Sequence, residues 1–185
     1  MTVSRSTCVV CLLCLMQFLS GQEKKPTGVN NSCREFVGKF YSWYLTNASK
    51  DQGRAGDIVL NRRPYLLSPV IIRALREDDK AQDKAGSDLV SLDADPFAGG
   101  DGLAEAYNVG KVTVRDGRCW AEVHAVWMGK EDQMPDIIPE LVIKNGNWLF
   151  VNFSFPNQGW NLLGALKALR EGEKQGRSST KKGTP

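Results

Sequence analysis

The feature that most constrains this chain is Asp116-Gly117, set between the alternating runs "YNVGKVTV" and "RCWAEVHAVW". A two-residue hairpin turn holds both central residues at positive φ, and Asp-Gly is one of the few pairs that accept this readily. Taken as a hinge, the turn pairs Val114 with Cys119, Val112 with Ala121 and Gly110 with Val123, a small apolar face extended by Ala125 and Trp127. The opposite face pairs Lys111 with Glu122, Thr113 with Trp120, Val109 with His124 and Tyr107 with Val126. Apolar groups broken by one ion pair suit a self-complementary contact better than bare solvent, so this face is expected to support a homodimer. Asn145-Gly146 marks a second hairpin between "PELVIK" and "NWLFVNF".

Helical spacing dominates before and after these strands. In "SCREFVGKFYSWYL", Ser32 and Glu35 form a capping-box pattern, and Phe36, Phe40, Tyr44 and Val37, Tyr41, Leu45 fall on neighbouring rows of one apolar stripe. Residues 50–67 read as a polar connection. Ser68-Pro69 then opens a second helix, serine as cap and proline in the first turn. Ile71, Ile72 and Leu75 form its apolar side, "REDDKAQDK" points to solvent, and Gly86 ends it. A closing helix carries Leu162, Leu163, Leu166 and Leu169. Two helices, at least four antiparallel strands and a final helix predict an α+β fold with the helices on one sheet face.

The first residues are expected to be removed. Arg5 precedes the apolar run Cys8–Leu19 and the small pair Ser20-Gly21, the pattern of a secretory signal peptide over residues 1–21. Gln22 stands where a lipoprotein would need cysteine, so no lipid or stable membrane anchor is expected after cleavage. The mature chain is thus expected to be exported, periplasmic or secreted. Of 5 cysteines, only Cys33 and Cys119 remain. An oxidising compartment allows them to pair, provided the first helix starts over the tip of the Asp116-Gly117 hairpin; a buried thiol is the alternative. The net charge of +3 owes much to Arg5 and to a basic tail, residues 172–185, expected to be disordered. The body, residues 32–171, reads as one near-neutral domain without the basic stripe that nucleic-acid binding needs.

The segments "FVGKFYSWYL", "LLSPVIIRAL", "LDADPF", "YNVGKV", "WAEVHAVW" and "LVIKNGNWLFVNF" together resemble a family of exported bacterial proteins catalogued as domain of unknown function 3828. The resemblance runs from Cys33 to Arg170. It implies a curved antiparallel sheet of about four strands with helices on one face, similar to the nuclear transport factor 2-like superfamily. It implies no activity and no cofactor. Family members often place Asn or Gln before the aspartate that follows Asp-Pro-Phe; here Gly99-Gly100 precede Asp101.

Two constellations hold candidate functional residues. In "SLDADPFAGGDG", Asp93, Asp95 and Asp101 surround Phe97. The spacing fails the calcium-loop pattern, with Pro96-Phe97 in the middle and no closing glutamate, so no metal is expected. A turn whose aspartates satisfy backbone amides, with Phe97 inserted in the core, is the preferred reading. His124, the sole histidine, is read as a surface or interface residue on the mixed face beside Trp120. The expected function is a binding or interaction module for an unknown small molecule or protein, using a sheet face or the mouth beside the acidic loop, through Asp93, Asp95, Phe97, Asp101, Trp120 and His124. The rival is a small cavity enzyme, a hydrolase or isomerase, that pairs His124 with a carboxylate such as Asp95.

Overall fold

The computed structural model describes the backbone of residues 28–50, 56–86, 88, 90–100 and 102–181, and side chains of the last helix as far as Gly172. The signal segment and Asp101 lie outside the described residues. Among the described residues, four α-helices, α1 (Gly28–Ala48), α2 (Asp57–Arg62), α3 (Pro69–Ala85) and α4 (Leu162–Lys181), accompany six strands. The strands are β1 (Ala106–Arg115), β2 (Arg118–Trp127), β3 (Lys130–Glu131), β4 (Ile138–Lys144), β5 (Asn147–Phe155) and β6 (Trp160–Asn161). They form one antiparallel sheet in the order β1-β2-β4-β5-β6, with β3 paired to β2. Four long strands are thus joined by two two-residue strands beyond the expected four. The fold is α+β.

Both predicted hairpins turn where Asp-Gly and Asn-Gly stand, with Arg115 opposite Arg118 and Lys144 opposite Asn147. The register of β1 on β2 follows expectation only as far as Val112 and Ala121. Between Val109 and Val112 a β-bulge sets two residues against one, and every β1 residue beyond it changes face. Val109 therefore lies opposite Val123 and Tyr107 opposite Ala125, while Asn108 lies opposite His124. Tyr107 packs its ring 5.0 Å from that of Tyr41 on α1, and Val109 and Tyr107 both pack against the core. The expected mixed face loses both residues. Gly110 makes the bulge affordable: a Cβ there would stand 2.8 Å from His124 Nε2.

The core lies between the inner sheet face and the helices as a single cluster. Phe40, Tyr41 and Tyr44 of α1 meet Phe97, Phe150, Phe153 and Phe155, each essentially without solvent exposure. Ring pairs such as Phe40–Phe150 (4.7 Å) and Phe97–Phe153 (5.1 Å) interlock across it, adding to burial the preferred tilted and edge-on contacts of aromatic rings. Cys33 and Cys119 are joined as a disulfide that ties the start of α1 to the start of β2. Helix α1 already runs at Ser32, so no capping box forms there. Instead Ser32 Oγ donates to the Val29 carbonyl (3.0 Å) and accepts from Trp148 Nε1 (3.2 Å), and Glu35 pairs with Lys39 one turn on. The expected polar connection contains α2, whose Ile58, Val59 and Leu60 are buried. Ser68 caps α3 by accepting from Ile71 N (3.3 Å), and Gly86 closes the helix at φ +66°. Helix α4 starts under an Asn161 cap, with Gly164 N donating to Asn161 Oδ1 (2.9 Å). Its backbone is helical as far as Lys181.

Candidate binding site

The acidic segment is organised by one carboxylate. Asp95 Oδ1 accepts from Phe97 N (2.8 Å) and Ala98 N (2.9 Å), while Oδ2 accepts from the Tyr44 hydroxyl (2.6 Å). Tyr41 donates its hydroxyl to the Phe97 carbonyl (3.0 Å), and Gly99 N reaches the Asp95 carbonyl (2.7 Å). The turn is thereby fastened to α1 while Phe97 enters the core. Burial pushes the Asp95 carboxyl above its usual range, and its hydrogen bonds from Tyr44, Phe97 and Ala98 pull the other way. Burial also drives the Tyr41 and Tyr44 phenols up, both sensing the Asp95 charge, and lifts Tyr107 to about 12. At neutral pH all three phenols therefore stay protonated, Tyr41 and Tyr44 as donors while the Tyr107 oxygen accepts from Ala104 N (3.4 Å). Gly99 sits at φ +78°, and a Cβ on it would overlap the Phe155 ring, so this turn seats directly on the aromatic core.

The other sequence candidates scatter. Asp93 is exposed. Trp120 lies half-buried on the outer sheet face, opposite Thr113 and Glu140. His124 also belongs to that face, yet it is not a surface residue: it is 8% exposed. The bulge brings its ring over Gly110, and the chain that follows β3 folds across it. His124 Nδ1–H donates to the Asp132 carbonyl (3.0 Å), and the Glu131 carboxylate stands 4.0 Å away. Asn108 Nδ2 donates to the same Glu131 (2.6 Å). Asp95 is bonded to α1 on the helix side of the sheet and His124 lies on the opposite side, so these two do not pair; the carboxylate beside His124 is Glu131. Among the described residues no group of three or more His, Cys, Asp or Glu is placed to hold a metal ion.

A groove of about 1090 Å³ opens beside the acidic turn, bounded by residues 90–94, Gly99-Gly100, Gln158, Trp160 and the Ala165, Ala168, Leu169, Gly172 stripe of α4. Its wall exists because α3 laces the chain that follows it. Gln82 Oε1 accepts from Val90 N (3.1 Å) and Ser91 Oγ (3.0 Å), and its Nε2 donates to the Asp88 carbonyl (2.9 Å). One turn earlier Asp78 Oδ2 accepts from Leu92 N (2.9 Å), and Oδ1 accepts from Arg170 Nη2 (2.7 Å). Arg170 also donates to the Val90 carbonyl (3.0 Å), which ties α4 to the same wall. Asp78 is 5% exposed, so "REDDKAQDK" turns one polar row inward rather than wholly to solvent. A buried pair of this kind is costly to break from either side.

Sequence reasoning placed a mouth beside the acidic loop but missed most of its lining. The signal available was the i, i+3, i+4, i+7 run of Ala165, Ala168, Leu169 and Gly172, distinct from the core row of Leu162 and Leu166. No protein-family model, curated protein or solved structure gives a significant match to the chain.

Proposed function

We propose that this chain is an exported bacterial binding module that takes an apolar ligand, or an apolar part of a partner, into the groove between residues 90–94 and α4. The groove itself carries this reading. Its volume lies just above the range of ordinary ligand sites, and its lining combines Leu92, Trp160 and Leu169 with small residues that leave room for an occupant. The wall is held by side-chain hydrogen bonds from α3 and an ion pair from α4, so it is preorganised, which lowers the entropic cost of binding. Membership of the domain of unknown function 3828 family and a nuclear transport factor 2-like architecture belong to the same proposal. They rest on the ordered segments from Cys33 to Arg170 and agree with helices packed on one face of an antiparallel sheet.

Titration with the uncharged apolar dye N-phenyl-1-naphthylamine tests the groove. Dye emission should rise on binding, with a change in tryptophan fluorescence that Trp160→Phe diminishes. Ala168→Trp and Ala165→Trp, which fill the groove from α4 without touching the core row, should each weaken binding at least about tenfold, the free energy of losing a buried apolar contact. Circular dichroism establishes that both variants fold. Unchanged dye affinity in two folded variants would defeat the reading.

A further inference from the structure

We infer that the ligand of this groove carries a positive charge, an ammonium or guanidinium group on an apolar body. The inference rests on the groove being the binding site and adds the chemistry of its occupant. Among the described residues that line the groove, Asp93 is the one ionisable side chain. Trp160 lies in the same lining with its ring fixed. One side packs on Phe155 (centroids 4.2 Å apart), and Nε1–H donates to Gln158 Oε1 (2.7 Å). The groove thus brings together a carboxylate and an indole, and a carboxylate with an aromatic ring is the combination that recognises organic cations.

The described cations near the groove are directed elsewhere. Arg170 Nη2 is directed to Asp78 and the Val90 carbonyl behind the wall, and Lys167 pairs with Glu171 on the exposed side of α4. Among the described lining residues, an anionic ligand would therefore meet Asp93 without a cation to offset it. A cationic ligand meets both an ion-pair partner and the indole.

Three ligands with the same tail separate charge from apolar burial: decyltrimethylammonium, decyl maltoside and decanoate. Each is titrated below its micelle concentration by calorimetry, against the native protein and Asp93→Asn. The native protein should bind the ammonium about 3–10-fold more tightly than the uncharged glycoside, as expected for an exposed ion pair plus a cation–π contact, and decanoate should bind most weakly. Asp93→Asn should narrow the gap between the cation and the anion, and raised salt should narrow it in the native protein. Equal affinities for all three in the native protein, or an ammonium preference untouched by Asp93→Asn, would overturn the charge assignment while leaving the groove reading intact. Failure of all three to bind would instead overturn the groove reading, and the charge preference with it.

Discussion

Replacing Asp95 should cost as much stability as cutting away a core aromatic, although the residue is a short polar side chain in a loop. Its two oxygens serve three donors, Phe97 N, Ala98 N and the Tyr44 hydroxyl. Asp95→Ala leaves all three without a partner in or beside the core. Each orphaned donor costs about 1–3 kcal/mol, and release of a desolvated carboxylate returns part of the sum, for a net loss of about 3–5 kcal/mol. That equals the loss expected for Phe97→Ala, about 3–5 kcal/mol for an aromatic removed from a close-packed site. Asp95→Asn keeps an oxygen for the two amides, and its NH₂ can donate to the Tyr44 oxygen, so its loss at neutral pH should be about 1–2 kcal/mol.

The pH dependence has a definite sign. Burial raises the folded Asp95 carboxyl above its ordinary 3.8, so the native state binds that proton more readily than the unfolded chain. The penalty of holding the charge is fully present above the folded value, shrinks as pH falls through it, and is gone below 3.8. Native protein should therefore gain stability relative to Asp95→Asn as pH falls across that window. Urea denaturation at a series of pH values measures both effects. A loss under about 1 kcal/mol for Asp95→Ala, or a native-minus-Asn difference that does not move with pH, would refute the reasoning.

Reduction of the Cys33–Cys119 disulfide, whose partners lie 86 residues apart, should lower stability by about 4–5 kcal/mol on the chain-entropy argument. Thiol counting on denatured, non-reduced protein should find no reaction from these two cysteines, and two reactive thiols would rule the bridge out. Met128-Gly129 turns β2 into β3 with Met128 at φ +50°, the position held by Asp116 and Asn145 in the other two-residue turns. Met128 is 88% exposed and its side chain gains little from the conformation. Met128→Asn should therefore raise stability by about 0.5–1 kcal/mol in thermal melts, and an unchanged or lowered midpoint would count against strain at this turn.

Much of the architecture was legible because it is encoded locally. Asp116-Gly117 and Asn145-Gly146 specify hairpins through the φ values they tolerate, and Ser68-Pro69 specifies a helix start through an oxygen and a missing amide. The aromatic rows of α1 state a buried face whatever covers it, and the Asp95 turn announces itself by a carboxylate two residues before Phe97. Each signal acts within a few residues, so a linear reading can find it.

What the sequence could not express is how distant residues complete one another. The bulge at Gly110 depends on whether Val109 gains more inside against Val123 than outside against His124, a competition settled by the packing of α1 on the sheet. His124 keeps its outer face on β2, where the chain after β3 covers it and the sheet separates it from Asp95. Asp78 and Gln82 looked like a solvated helix row until Arg170, 92 residues later, and the chain after Gly86 arrived to satisfy them. The groove is likewise a property of neither Asp93 nor Ala168 alone. Turn and cap preferences are set by a residue's own backbone, whereas faces, partners and cavities follow from which apolar surfaces are buried together. That burial is non-local, and it decided where this protein's candidate binding site lies.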